Sequence, residues 1–292
     1  MKIGILTRNE NAWCSSKLRE SLRRKNVEPT CFSFSNVAAR VGAHPSLAFR
    51  GIDLIRDLSA VIVRPIGRGS LDEIVFQLDV LHKLKREGQV VINDPSAIER
   101  SVDKYQTLAL LIEEGLQVPK TLVTESVSEA LAAFNEFDQD AVIKPVFGSR
   151  GIGAARVSNS DVAERVFRTL RFYKHVIYIQ EYVQHGSRDI RAFVIGDKVA
   201  AAMYRISDSW KTNVSRGAAP VPLELSSEVE EIAVKSAGAI GCEIAGVDIM
   251  ESSRGLLINE INSQPGWRGL QSTTSTDISG KIADYLISKA RR

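Results

Sequence analysis

In the stretch LLINEINSQPGWRGLQ, Leu256 to Gln271, an apolar run carries Asn259, Glu260 and Asn262 almost back to back. A Pro-Gly turn and the pair Trp267-Arg268 follow. Side chains of a strand alternate faces, so Ile258, Glu260 and Asn262 share one side and Leu257, Asn259 and Ile261 the other. Asp248 is the ionisable side chain among apolar neighbours in GVDIM. A hairpin between the two runs could bring it to the face of Glu260 and Asn262. Two carboxylates buried together without a cation are costly. Carboxylate and amide oxygens with no soft ligand suit magnesium or manganese, and Mg²⁺ keeps room for substrate phosphates. A hairpin rim solvated on one side is the alternative. By the same alternation Asn259 points away from this set and is structural.

A metal of that kind calls for a phosphate site, and VIKPVFGSRGIGAARV offers one. Gly148, Gly151 and Gly153 form a GxxGxG loop between two strands, where backbone N–H groups can close over phosphate oxygens. The loop lacks the GK[ST] ending of a P-loop and leads into a strand, unlike a dinucleotide-binding turn. Lys144, inside an apolar strand, must find an anion, lose its proton or snorkel to solvent. In YIQEYV, Gln180 and Glu181 end another apolar strand, where backbone groups could meet an adenine edge or simply close the strand. Lys104, in VDKYQT, reads by itself as a surface lysine.

Three kinds of unit have to position these residues. The first ~95 residues alternate short apolar strands (KIGIL, PTCFSF, AVIVRP, VVIND) with helices over about 15–25 and 71–87, the rhythm of an open parallel sheet. One amphipathic helix is expected over SAIERSVDKYQTLALLIEEGL, capped by Ser96 and ended by Gly115. Then come TLVT, a helix over about 128–135, AVIKPVF, AARVS, a helix over about 161–172 and VIYIQEYV. Beyond these, DIRAFVI and VAAAMYR turn at Gly196-Asp197, a strong hairpin signal. A helix over about 227–241, a second hairpin turning at Ser252 to Gly255 and a helix over 278–289 complete the chain. The expected boundaries are 1–95, 96–183 and 184–292.

The order DKYQT, VIKPVFGSRGIG, IQEYV, RDIRAFVIGDKVAAAMYR, KTNVSRGA, AGVDIM, NEINSQPGWRGL resembles the ATP-grasp superfamily and, within it, the RimK-like and LysX-like amino-acid ligases. The resemblance covers about Val90 to Lys289 closely. It implies an α/β ATP-grasp fold, an N-terminal open parallel α/β domain followed by two α+β subdomains that clamp ATP. It implies that Lys104 and Lys144 hold nucleotide phosphates and that the loop Gly148, Ser149, Gly151, Gly153 folds over them. Gln180, Glu181 and Tyr182 would form the adenine hinge, and Asp189 would lie near the ribose. Lys211, Thr212 and Asn213 match a segment that reads more often as Arg-Ser-Asn in RimK-like ligases. Arg216 would lie near the γ-phosphate, with Lys144 as the second catalytic cation. Asp248, Glu260 and Asn262 match the magnesium ligands, two Mg²⁺ ions being implied and Mn²⁺ an alternative.

The implied reaction makes an amide, ADP and phosphate through an acyl phosphate. The form PGWRGLQ, with GSLDEIVFQLDVLHKL and INDPSAIERSVDKY, is similar to the α-L-glutamate ligase branch that includes ligases adding glutamate to tetrahydromethanopterin. LysX-like and RimK-like enzymes, which extend a carrier or ribosomal protein tail, are the near alternatives. An ATP-grasp kinase or a non-turning-over nucleotide-binding regulator is the more distant one. Arg64 and Arg68, in VRPIGRGS, and Arg268 are expected substrate contacts, or else solvent-facing loop arginines.

Composition sets the outer limits. A 292-residue chain with 44% hydrophobic and 25% charged residues is an ordinary globular one. Its 38 basic and 35 acidic residues are too balanced to point to nucleic acid. The run KLRESLRRK reads as a solvated helix face. Cys14, Cys31 and Cys242 show no CxxC spacing and are expected as thiols. No signal segment or membrane span is expected, so the cytoplasm is the default, with a homo-oligomer as the expected assembly.

Overall fold

The computed structural model describes residues 1–148, 151–212, 214 and 217–291. The first unit holds β1 (Lys2–Leu6), α1 (Trp13–Arg24), β2 (Glu28–Phe32), β3 (Val37–Ala39), β4 (Leu47–Phe49), β5 (Ile52–Asp53), β6 (Ala60–Val63), α2 (Leu71–Arg86) and β7 (Val90–Ile92). Strands β2-β1-β6-β7 form a sheet in which every pairing is parallel. Both faces of its central strands β1 and β6 are buried, as parallel strands flanked by helices require. Ile3, Ile5 and Ile62 face α1, while Leu6, Val61 and Val63 face Val80, Leu81 and Leu84 of α2. The small antiparallel sheet β3-β4-β5 is an addition, too short to carry a readable period.

The next segment is α3 (Pro95–Val102) and α4 (Lys104–Glu113). Two helices stand where one is expected, because Asp103 adopts an extended backbone and accepts the N–H groups of Tyr105 and Gln106 as the α4 cap. The α3 cap is Asp94, with Pro95 in the first turn, rather than Ser96. Ala97, Leu108 and Leu111 pack against the C-terminal sheet and its helix. The two helices therefore belong in space with that sheet, not with the strands that directly follow them.

Those strands are β8 (Thr121–Thr124), β9 (Ala141–Ile143), β10 (Ala155–Val157) and β11 (Ile177–Glu181), in the antiparallel order β10-β9-β11-β8. Helices α5 (Val127–Glu136) and α6 (Ser160–Phe172) cover one face, with Phe134 and Phe167 at the centre.

The last unit holds β12 (Arg188–Ile195), β13 (Lys198–Ile206), β14 (Ala219–Pro222), α7 (Ser227–Ile240), β15 (Ile244–Ser252), β16 (Gly255–Asn262), α8 (Arg268–Gln271) and α9 (Ile278–Ala290). Its antiparallel sheet runs β14-β13-β12-β15-β16. The β12–β13 turn is the expected Gly196-Asp197, and Gly196 has φ +62°. A Cβ there would lie 2.9 Å from the Tyr285 ring, a second reason for glycine. One face of the sheet, with Ile190, Ala192, Val247, Ile249 and Ile258, packs on α4 and α7. The other carries Phe193 and Met203 into a cluster with Trp267, Leu270, α1 and α9, which joins it to the first sheet. Farther along this second face the side chains become charged, and there the cleft opens.

Candidate active site

The cleft lies between the second and third sheets and holds ≈ 820 Å³ of space, counted out to its open mouth. The walls come from Lys104, Lys144, the glycine loop, Gln180 to Val183, and the charged face of the third sheet with Asp189, Arg205, Asp248, Asn259 and Glu260.

The pairing of β15 with β16 decides how the acidic end is presented. Asp248 lies opposite Glu260, but Ile249 lies opposite Ile258, so Asn259 is an extra residue in β16. Such a bulge interrupts strict alternation. Ile258 and Glu260 keep opposite faces while Asn259 lines the cleft next to Glu260. Strict alternation would turn Asn259 away as a structural residue, but the bulge brings it into the cleft, where its Oδ1 accepts a hydrogen bond from Lys144 Nζ at 3.0 Å. Asn262 lies opposite Gly246, two pairs beyond Asp248 and Glu260, and does not line the cleft.

Lys144 follows β9 and spans the cleft, donating also to Gln180 Oε1 at 2.6 Å. Burial lowers its pKa to about 8; Glu260 and Asp248 pull the other way, and Lys104 adds to the lowering. Asp248, 2% exposed, is pushed up to about 6 by burial, against the pull of Arg191 and Arg205. Arg191 Nε comes within 2.7 Å of Asp248 Oδ1, and Arg205 Nη2 lies 3.0 Å from Oδ2. Oδ1 still has no aligned hydrogen-bond donor. Arg205 also grips Asp189 with Nε and Nη2, and Thr212 Oγ1 donates to Asp189 at 2.6 Å. Burial alone would lower the Arg205 pKa, but Asp248 and Asp189 outweigh it and hold it above its ordinary value. Asp189, expected beside a ribose, has both oxygens engaged in this network.

The residues expected on the nucleotide side are each held by neighbours. Lys104 Nζ donates to Gly148 O at 2.6 Å, and Lys211 Nζ to Ala154 O at 2.7 Å, so one lysine grips each end of the glycine loop. Gly151 and Gly153 take positive φ, as expected of a loop that turns on itself. At the expected hinge the N–H of Glu181 donates to Lys120 O and that of Tyr182 to Asp140 O. Those two donors are therefore engaged, which leaves the hinge its carbonyls and Val183. The Gln180 amide donates to Thr121 Oγ1 at 2.9 Å. The Tyr182 ring is sandwiched between the Arg156 guanidinium, 3.5 Å from its centroid, and the edge of Trp210.

On the far side, Arg64 is 3% exposed, donates Nη2 to Pro265 O at 2.9 Å and lies over the Trp267 ring. It is buried rather than solvent-facing. Arg68 and Arg268 are exposed, the first before α2 and the second at the start of α8. Ser149, Asn213 and Arg216 lie outside the described residues.

Residues 101–286 match the RimK-like ATP-grasp domain and residues 1–98 the RimK PreATP-grasp domain. This chain belongs to the RimK-like ATP-grasp family. It is 34% identical to the tetrahydromethanopterin:α-L-glutamate ligase of Methanococcus maripaludis, with 100% of this chain and 99% of that protein covered. It is 36% identical to the ligase of the same name from Methanocaldococcus jannaschii, over 98% of each. Its fold matches the ATP-grasp ligase PsnB, solved with a minimal precursor, Mg and ADP, at a TM-score of 0.77 and 22% identity, covering 100% and 98% of the two chains.

In this RimK-like protein Arg191, Arg205, Trp210 and Asn259 line or brace the site without having been expected there. The first two had a signal. Asp189 and Arg191 stand two apart near the start of a strand that is apolar beyond them, hence on one face, and Arg205 interrupts its partner strand. Asn259 had none, because a bulge is not written in the local residue types. The donors on β15 and β16 are oxygen atoms, and Asp248 keeps a buried oxygen without an aligned donor, so the set fits a hard divalent cation. Among the described residues no group of three or more His, Cys, Asp or Glu could hold a metal, so amide oxygens have to complete the set. No helix is long and apolar enough to cross a membrane, again among the described residues.

Proposed function

We propose that this protein is an ADP-forming carboxylate-amine ligase that joins the amine of L-glutamate to a carboxylate acceptor through an acyl phosphate. A tetrahydromethanopterin-type cofactor is the leading acceptor, on the names of the relatives that share about a third of the sequence along the whole chain. The observation that carries the reading is Lys144, a buried cation set between the glycine loop and the Asp248–Glu260 pair.

Asp248, Glu260 and Asn262 would hold magnesium, two ions being proposed, with Mn²⁺ as a substitute. When bound, the metal neutralises charge between the phosphates. The chain's own groups do the remainder. Lys104 and Lys144 face the phosphates, and the glycine loop, already gripped at both ends by lysines, excludes water from a hydrolysable intermediate. Arg191 and Arg205 keep the acidic pair compensated before the metal arrives and offer cations to charge developing on the transferred phosphoryl group. The acceptor carboxylate attacks the γ-phosphorus and ADP leaves. The amine then attacks the acyl carbon, phosphate departs with the electron pair, and the amine proton is released.

A matrix of carboxylates against amino acids, scored by ADP release and product mass, tests this reading. A tetrahydromethanopterin substrate with L-glutamate is expected to give ADP and a product heavier by one glutamyl residue. ADP formed with the acceptor alone, together with a stable phosphorylated product, would instead identify a kinase.

A further inference from the structure

A cluster of buried N–H donors beside the cleft has no role in the chemistry above, where Asn262 enters only through its side-chain oxygen. Past Asn262 the chain turns through Gln264 and Pro265 to Trp267. The nitrogens Asn262 Nδ2, Gln264 Nε2 and Trp267 Nε1 are buried without a hydrogen-bond partner among the described residues. Arg64, which binds this same turn through Pro265 O, has its Nε in the same condition. All four orphans are donors and none is an acceptor. Buried donors are normally satisfied, and leaving one bare is costly, so four around one turn mark a place shaped for acceptor oxygens.

Two further observations narrow what those oxygens belong to. Burial depresses the Arg64 pKa, and the neighbouring group that counters it is the Cys14 thiol, not a carboxylate. A buried guanidinium without a carboxylate partner awaits an anion. The turn also abuts the charged face directly. A Cβ on Gly246 would lie 2.3 Å from Arg191 Nη1 and 2.9 Å from Pro265 Cβ, so arginine and turn meet over this glycine. The turn therefore meets the same arginine that binds Asp248.

We propose that Arg64, Asn262, Gln264 and Trp267 form a subsite for a carboxylate of the amino acid that supplies the amine. The assignment rests on the ligase reading. The acceptor's reacting carboxylate must occupy the phosphate side of Arg191, which leaves the far side for the nucleophile. Trp267 is fully buried and Arg64 nearly so, which favours a small amino acid over a bulky acceptor. One fixed positive charge with three neutral N–H groups matches one carboxylate.

Titration calorimetry of L-glutamate into the full chain with Mg²⁺ and ADP present tests the assignment. Trp267→Phe keeps the ring and Gln264→Met nearly the volume, and each deletes one donor. Each is expected to weaken L-glutamate binding about tenfold, with Arg64→Lys retaining more affinity than Arg64→Met. Binding of MgADP, unchanged within about twofold, reports that the variants are folded. L-glutamate affinity unaltered in both donor deletions overturns the subsite, as does a wild-type chain that binds none of L-glutamate, L-aspartate and glutarate. Either result leaves ADP release dependent on two substrates as a separate question, so the subsite can fail without the ligase reading.

Discussion

Lys144 Nζ and Asn259 Oδ1 lie 3.0 Å apart and join two sheets across the cleft. One partner is a cation that burial has made easier to deprotonate, and the other is the extra residue of a bulge. A buried cation and a strand irregularity thus meet at a single hydrogen bond.

The lowered pKa gives opposite pH dependences for binding and for stability. In the empty protein Lys144 titrates near about 8, and a polyphosphate favours its charged form. The affinity for MgATP should fall as pH rises above about 8, approaching tenfold per pH unit in the limit. The folded state binds fewer protons here than the unfolded chain, so this group favours folding more as pH rises from about 8 toward its ordinary value. Nucleotide titrations and chemical denaturation between pH 7 and pH 10 check both signs, with Lys144→Met abolishing both trends.

Deleting Asn259 offers a direct test of the bulge. Ile258 and Glu260 already pair with Ile249 and Asp248, so removing the residue between them leaves each on its present face. The deletion variant is expected to fold with stability within about 1 kcal/mol of the parent. Turnover should drop at least about tenfold, because Lys144 loses one of its two anchors.

The Asp189–Arg205–Asp248 network is the place where a single substitution should be expensive. Arg205→Met leaves two buried carboxylates short of a cation and is expected to cost about 3–5 kcal/mol in urea denaturation. Adding Asp189→Asn should recover part of that loss, which a double-mutant cycle measures.

Asn93 ties the first sheet to the acidic strands. Its amide nitrogen donates to Ile244 O and Ser263 O, and its oxygen accepts from the N–H groups of Glu243 and Ile244. Asn93→Asp sets an acceptor against two carbonyls, so it should destabilise more than Asn93→Ala, by at least about 3 kcal/mol relative to the parent. Thermal unfolding ranks the two variants.

How far such relationships can be read from residues alone differs from one element to the next. Helices with capping residues and strands with apolar runs were legible, as was the hairpin at Gly196-Asp197, because their signals are local. The split at Asp103 was missed because an aspartate inside an amphipathic pattern can be a surface residue or a cap, and only the backbone decides. The neighbourhood of Asp248 was legible as an acidic pair but not as an arginine-bound one. Arg191 and Arg205 reach it from two other strands, and that register is a long-range property. Arg64 looked like a loop residue because its cover, Trp267, lies 203 positions downstream.

The most direct test follows an oxygen atom. A tetrahydromethanopterin acceptor labelled with oxygen-18 in its terminal carboxylates is incubated with the full chain, Mg²⁺, ATP and L-glutamate, and the released phosphate is weighed by mass spectrometry. Attack of the carboxylate on the γ-phosphorus predicts one oxygen-18 atom in each phosphate, formed in step with ADP and amide. Unlabelled phosphate accompanying ADP release would contradict the acyl-phosphate route.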